Sequence, residues 1–156
     1  MLFRSHTCVR HIEAALKLDP RMAEAHAINA ICSALAPSLT MTSCARSRAL
    51  RTALELEAGN PRVRFIEMLC STENADAASI QIDKLRALVT AFESAPPSGP
   101  GKPDWGQAEA LVLLGQGYLH RGDPLAARDA IERALVIAPD YRKAQELLQA
   151  AAVRPQ

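Results

Sequence analysis

Apolar positions in this chain recur at helical spacing over nearly its whole length, and the strict alternation of a half-buried strand is missing. The clearest stretch runs from Ala108 to Pro139. In its first half Leu111, Val112, Leu114 and Leu119 recur at helical spacing, with Tyr118 one turn beyond Leu114. In its second half Ala127, Ala130, Ile131, Ala134 and Leu135 form one inward stripe. Between the halves, Gly122 suits a left-handed C-cap, Asp123 an N-cap, and Pro124 the first helical turn, where a missing amide donor does no harm. Gly115 and Ala127 are small where two antiparallel helices must approach closely. The pattern predicts one complete helical hairpin.

The same reading places helices from about Ser5 to Lys17, Arg21 to Leu35 and Ser43 to Ala58, then a short one led by Val63, Phe65, Ile66 and Leu69. Further on, Ile82, Leu85, Leu88, Val89 and Phe92 give an amphipathic helix ending near Ser94, and a closing helix runs from Tyr141 to about Val153. Asp19-Pro20, Ala36-Pro37-Ser38 and Gly59-Asn60-Pro61 punctuate these segments. Ser71 to Asp76 is polar and turn-prone. Residues 95–104 form a Pro/Gly-rich internal loop, expected to run extended over the surface. Asp104 is the expected N-cap after it, with Gln107 as its capping-box partner. Trp105 then falls in the first turn, where core packing is preferred over a ligand-facing role.

One hairpin cannot bury its own apolar face, so copies of it matter. The segment His11 to Pro20 matches Ala130 to Pro139: Ile12 pairs with Ile131, Ala15 with Ala134, Leu16 with Leu135 and Pro20 with Pro139. Ala49 to Ala58 is a third, weaker echo. With Leu111, Leu114, Gly115, Tyr118, Gly122, Ala127, Ile131, Ala134 and Pro139 in this order and spacing, the chain resembles the tetratricopeptide repeat (TPR) superfamily, strongly at both ends and loosely in the middle. The middle, from Gly59-Asn-Pro-Arg62 to Asp104-Trp-Gly106, resembles an arrangement in a group of uncharacterised bacterial TPR proteins. In that group the polar stretch before the amphipathic helix often carries glycines and aromatics, which Ser71 to Ser79 lacks. The implied fold is all-α, an α-solenoid of antiparallel hairpins with about seven helices, forming a single domain over residues 1–156.

Composition agrees with this picture. Alanine and leucine dominate and aromatics are only 4%, which favours helices over any sheet. Lys+Arg of 18 against Asp+Glu of 17 leaves a formal charge of +1, and no basic stripe with interleaved aromatics appears, so nucleic acid is not the expected partner. Arg46, Arg48, Arg51, Arg62 and Arg64 read as a solvated helix face, with an acidic-ligand site as the alternative. No apolar run is long enough for a membrane span or a signal-peptide core. The first element is the second half of a repeat, and Leu2-Phe-Arg-Ser5 is what a common sequencing-adapter stretch encodes. The chain is therefore read as an N-terminally truncated fragment, and its compartment, cytoplasmic or periplasmic, is left open.

Candidate chemistry is thin. Cys8, Cys32, Cys44 and Cys70 lack CxxC spacing and a regular framework, so buried free thiols of the cytosolic type are expected. His6, Cys8 and His11 form the most metal-like cluster, yet only Cys8 and His11 share a helix face, two ligands where a structural zinc needs four. His26 and His120 are assigned to packing or to a groove. No catalytic grouping and no cofactor is expected. The resemblance implies a non-catalytic scaffold or adaptor binding a peptide or partner helix in a concave groove, or associating with itself. Helical phase assigns Val112, Gln116, Leu119 and His120 to that groove in the clear repeat, and Ala27, Ile31 and Leu35 in the earlier one. These residues do not match the cationic, asparagine-containing clamp of chaperone-binding TPRs. The alternative function is an accessory or oligomerisation segment of a longer enzyme or regulator.

Overall fold

The computed structural model describes residues 2–34, 44–71, 82–96, 99 and 104–152. All regular structure among them is helical: α1 (Leu2–Leu18), α2 (Ala23–Ala34), α3 (Arg48–Glu57), α4 (Pro61–Ser71), α5 (Ile82–Ser94), α6 (Gln107–His120), α7 (Pro124–Ile137) and α8 (Arg142–Ala152). Among the described residues there are eight helices, against the expected total of about seven; the segments placed one by one from the sequence also number eight. The stretch led by Val63 is a full helix, because Asn60 Oδ1 accepts the Arg62 N–H at 2.9 Å and Pro61 starts α4. The chain divides into two compact units, residues 1–75 and 76–156. Most of the Pro/Gly-rich stretch 95–104, and most of the polar one after Ser71, lie outside the described residues.

In the first unit α2 is the central element, packed against α1, α3 and α4. Its buried side is almost all alanine (Ala23, Ala25, Ala27, Ala30 and Ala34), so neighbouring backbones can come close. Leu50 and Ala53 of α3 and Val63, Phe65 and Ile66 of α4 complete the core. Helix α3 begins later than Ser43, because Ser47 is its cap: extended at φ −64°, it accepts the Leu50 N–H at 3.1 Å. Polar groups tie α2 to the start of α4. The Asn60 amide donates to Glu24 at 3.0 Å and to Glu57 at 2.7 Å, and Arg62 pairs with Glu24 at 3.6 Å.

The cysteines overturn the free-thiol expectation. Cys8 of α1 is bonded to Cys32 of α2, and Cys44 to Cys70 of α4, with Cα–Cα distances of 6.0 and 5.3 Å, inside the usual disulfide range. No cysteine is free. Sequence spacing could not show this, because the two pairs are 24 and 26 residues apart and meet only when the helices pack.

In the second unit α6 and α7 form the hairpin, α5 packs on α6, and α8 packs on α7 with a smaller contact to α6. The turn between α6 and α7 is as expected. Gly122 has φ +76°, the Gly122 and Asp123 N–H groups donate to the Leu119 and Tyr118 carbonyls at 3.1 and 2.9 Å, and Asp123 Oδ1 accepts from Ala126 at 3.0 Å. Gly115 is where the two helices touch: a Cβ there would meet Ile131 Cγ1 at 2.6 Å and the Ala127 carbonyl at 3.2 Å. Gly117 serves the other neighbour, its Cβ direction leading to Ile82 of α5 at 3.2 Å. Leu111, Leu114, Ile131 and Leu85 fill the core, each side chain contributing about 1.5–3 kcal/mol on burial. The cap of α6 differs from expectation. It is Gly106, not Asp104, because at φ 106° the Gly106 N–H turns toward the Glu109 carboxylate, 2.8 Å away.

One turn occurs three times, around Pro20, Ala58 and Pro139. In each, the N–H two residues on donates to the carbonyl one residue back: Met22 to Asp19 (3.2 Å), Asn60 to Glu57 (3.1 Å) and Tyr141 to Ala138 (3.1 Å). In each, the following helix opens with the same bond, His26 to Met22, Arg64 to Asn60 and Gln145 to Tyr141. In each, the side chain six residues on closes the turn by donating to its carbonyl: His26 Nε2 to Pro20 (2.9 Å), Arg64 Nε to Ala58 (2.7 Å) and Gln145 Nε2 to Pro139 (2.8 Å). The three positions are those matched in sequence between His11–Pro20, Ala49–Ala58 and Ala130–Pro139. The side chains that close the turn differ in type and share only a nitrogen donor at the right reach.

Candidate functional site

Six of the seven residues assigned to a groove lie on two helices in different units. On α2, Ala27 is buried, Ile31 is half-buried, and Leu35 lies outside the described residues. On α6, Val112 is buried within the chain, Gln116 and Leu119 are half-buried, and His120 is exposed. A partner at α6 would therefore meet Gln116, Leu119 and His120, while Val112 is covered.

Several of the remaining candidates have structural duties. Sγ of Cys8 is bonded to Cys32 and is thereby withdrawn from metal ligation. His26 closes the first of the three turns through its ring nitrogen. Within the arginine group, Arg62 is half-buried against Glu24, and Arg64 donates to Ala58 and pairs with Glu67 at 2.7 Å. Arg46, Arg48 and Arg51 are exposed. Trp105 is half-buried just ahead of α6. No helix among the described residues is long and apolar enough to cross a membrane.

The structure adds a cleft that sequence reasoning missed. In the second unit α5 and α7 flank α6 and leave an open cleft of about 320 Å³ above Leu114 and Tyr118. Its rims are charged. Arg133 of α7 reaches Glu93 of α5 and also lies 3.6 Å from Asp129, while Arg86 of α5 lines the same cleft. Arg133 and Glu93 are 40 residues apart, so no local signal could have joined them. Both side chains are more than two-fifths exposed, so the pair contributes at most about 1 kcal/mol and is screened by salt. The two cations and two anions nearly cancel, which gives the cleft polarity without a strong field.

Near the start of α8, the Tyr141 phenol is held above its ordinary 10.0, first by burial and then by the Glu109 carboxylate. That carboxylate also accepts the Gly106 N–H at the head of α6.

No family model, no curated protein and no solved structure matches the chain. Its functional reading therefore rests on its own geometry. What that geometry offers is surface: a half-exposed strip at the C-terminal end of α6, and a charged cleft between α5 and α7.

Proposed function

We propose that the chain is a helical-repeat module of the tetratricopeptide type, a non-catalytic scaffold or adaptor that holds a peptide or a helix of a partner protein. The observation that carries this reading is the turn that occurs three times with the same three hydrogen bonds. The same turn leading into three helices is what a repeat architecture calls for, in which small equivalent units build an extended binding surface. The proposed contact surface comprises Gln116, Leu119 and His120 of α6, with Ile31 of α2 as its counterpart in the first unit. Two polar groups beside one apolar side chain suit a peptide read partly through its backbone.

The test is selection of a displayed peptide library against the full chain, followed by the Gln116→Ala/His120→Ala variant. Enriched peptides should bind that variant at least about tenfold more weakly, a loss of about 1.4 kcal/mol, with its thermal midpoint unchanged. Undiminished binding by the variant, or no enrichment at all, would count against the surface.

A second reading has one observation behind it. Leu125 and Val136 of α7 are 76% and 83% exposed, and they stand about three helical turns apart on one side of the helix. Self-association through that side is the alternative, and sedimentation at rising concentration separates the two. A monomer throughout leaves the peptide-binding reading in place.

A further inference from the structure

Both disulfides straddle the repeated turn, with matching positions on its far side and positions two residues out of step on its near side. Cys32 and Cys70 each stand twelve residues past the turn position, past Pro20 and Ala58 respectively. Their partners precede it: Cys8 stands twelve residues ahead of Pro20, and Cys44 lies just ahead of the helix that leads into Ala58. Around the third turn the same two places, twelve residues ahead of and past Pro139, hold Ala127 and Ala151, both buried, on the packed helices α7 and α8. Each junction thus has either two small side chains or a covalent bond.

The two helices that precede the first and third turns differ in packing. Helix α7 is packed on both sides, against α6 and α8, and buries Ala127, Ala130, Ile131 and Ala134. Among its described side chains α1 buries none completely: Val9, Ile12, Ala15 and Leu16 are all half-buried, and its extensive packing is with α2 alone. A helix held by one neighbour has little tertiary packing to sustain it. Cys8–Cys32 supplies a link that its packing does not.

We propose that these cysteine pairs are oxidation sites, set by thiol–disulfide exchange, and that the covalent links complete the first unit in a compartment that supplies disulfide donors. In each pair one cysteine thiolate attacks a sulfur of the donor, a protein disulfide or oxidised glutathione, forming a mixed disulfide and releasing one donor thiolate. The second cysteine thiolate then attacks the chain's own sulfur in that mixed disulfide and expels the other donor thiolate. Each chain pair loses two electrons and two protons, and the donor disulfide gains them as two thiols. Stability of the first unit then depends on redox state, and stability of the second, which has no cysteine, does not.

The experiment is hydrogen exchange followed by mass spectrometry on the full chain, equilibrated with oxidised glutathione or with a phosphine reductant, with peptide mapping of the links. The oxidised chain should yield Cys8–Cys32 and Cys44–Cys70 peptides. Reduction should lower the protection of α1 and α4 by at least about tenfold while α6 and α7 stay unchanged. Cys8→Ala/Cys32→Ala copies the alanine pair of the third junction and so retains a close-packed option without the bond. In oxidant, this variant should show α1 as weakly protected as in the reduced chain, with α4 still sensitive to reductant. Free thiols after equilibration with oxidised glutathione, equal protection in both redox states, or a fully protected α1 in the double-alanine variant would each overturn the proposal.

Discussion

At the scale of single residues, three positions carry more than their size suggests. Gly115 and Gly117 are adjacent on the same helix pitch but serve different neighbours. A methyl at Gly115 would press on Ile131 Cγ1 at 2.6 Å and on the Ala127 carbonyl, which is backbone and cannot step aside. A methyl at Gly117 would meet only Ile82 at 3.2 Å. Replacing glycine by alanine favours a helix interior by about 1 kcal/mol, and overpacking costs about 1–3 kcal/mol. Gly115→Ala should therefore destabilise the protein by about 1–2 kcal/mol and Gly117→Ala by clearly less, as read from urea midpoints. Tyr141 gives a pH signature. Its folded-state pKa is raised above 10.0, so the neutral phenol is the form that folding favours. The stabilisation is complete below the ordinary tyrosine range and is lost as pH rises through 10.0 toward the raised value. Between about pH 9 and about pH 11 the native chain should lose stability faster than Tyr141→Phe. Identical slopes for the two proteins would remove the assigned cause.

At the scale of elements, equal sequence does not mean equal burial. Ile12 and Ile131 hold matching positions in matching segments, yet Ile131 is wholly buried under Gly115 while Ile12 stays half-open on α1. Ile131→Ala should cost about 2–5 kcal/mol, and Ile12→Ala less than half of that, because a partly solvated site leaves a smaller cavity when it is truncated. Thermal denaturation of the two variants in parallel decides this. The helices themselves were legible from spacing and capping residues: Asp123-Pro124 and Gly122 do what their chemistry predicts, whereas the start of α3 was placed at Ser43 and its cap is Ser47. The misplaced cap before α6 has a local cause. Asp104 has the side chain for the task, but Gly106 has the backbone freedom, and the Glu109 carboxylate reaches the latter.

At the scale of the whole molecule, the two units differ in how their helices are secured. The second relies on packing around Gly115 and Gly117, with Leu85, Leu111 and Ile131 in its core; the first relies on alanine contacts and two covalent links. The candidate surface was only partly legible. Of the residues assigned to it, Gln116 and Leu119 are half-buried and His120 is exposed, whereas Val112 and Ala27 are covered. A helix has one angle per residue, but how far a neighbour wraps around it is set by other segments.

The sequence by itself determined the helices, the break chemistry between them, the close approach at Gly115 and the equivalence of the turns at Pro20, Ala58 and Pro139. All of these are local: they depend on residues within a few turns of one another, on capping groups and on the size of a side chain. Only the tertiary structure decided that the four cysteines pair, that Arg133 reaches Glu93 across a cleft, and that Ile12 and Ile131 differ in burial. Each of these depends on contacts between residues distant in the chain, and no periodicity in a single segment encodes them.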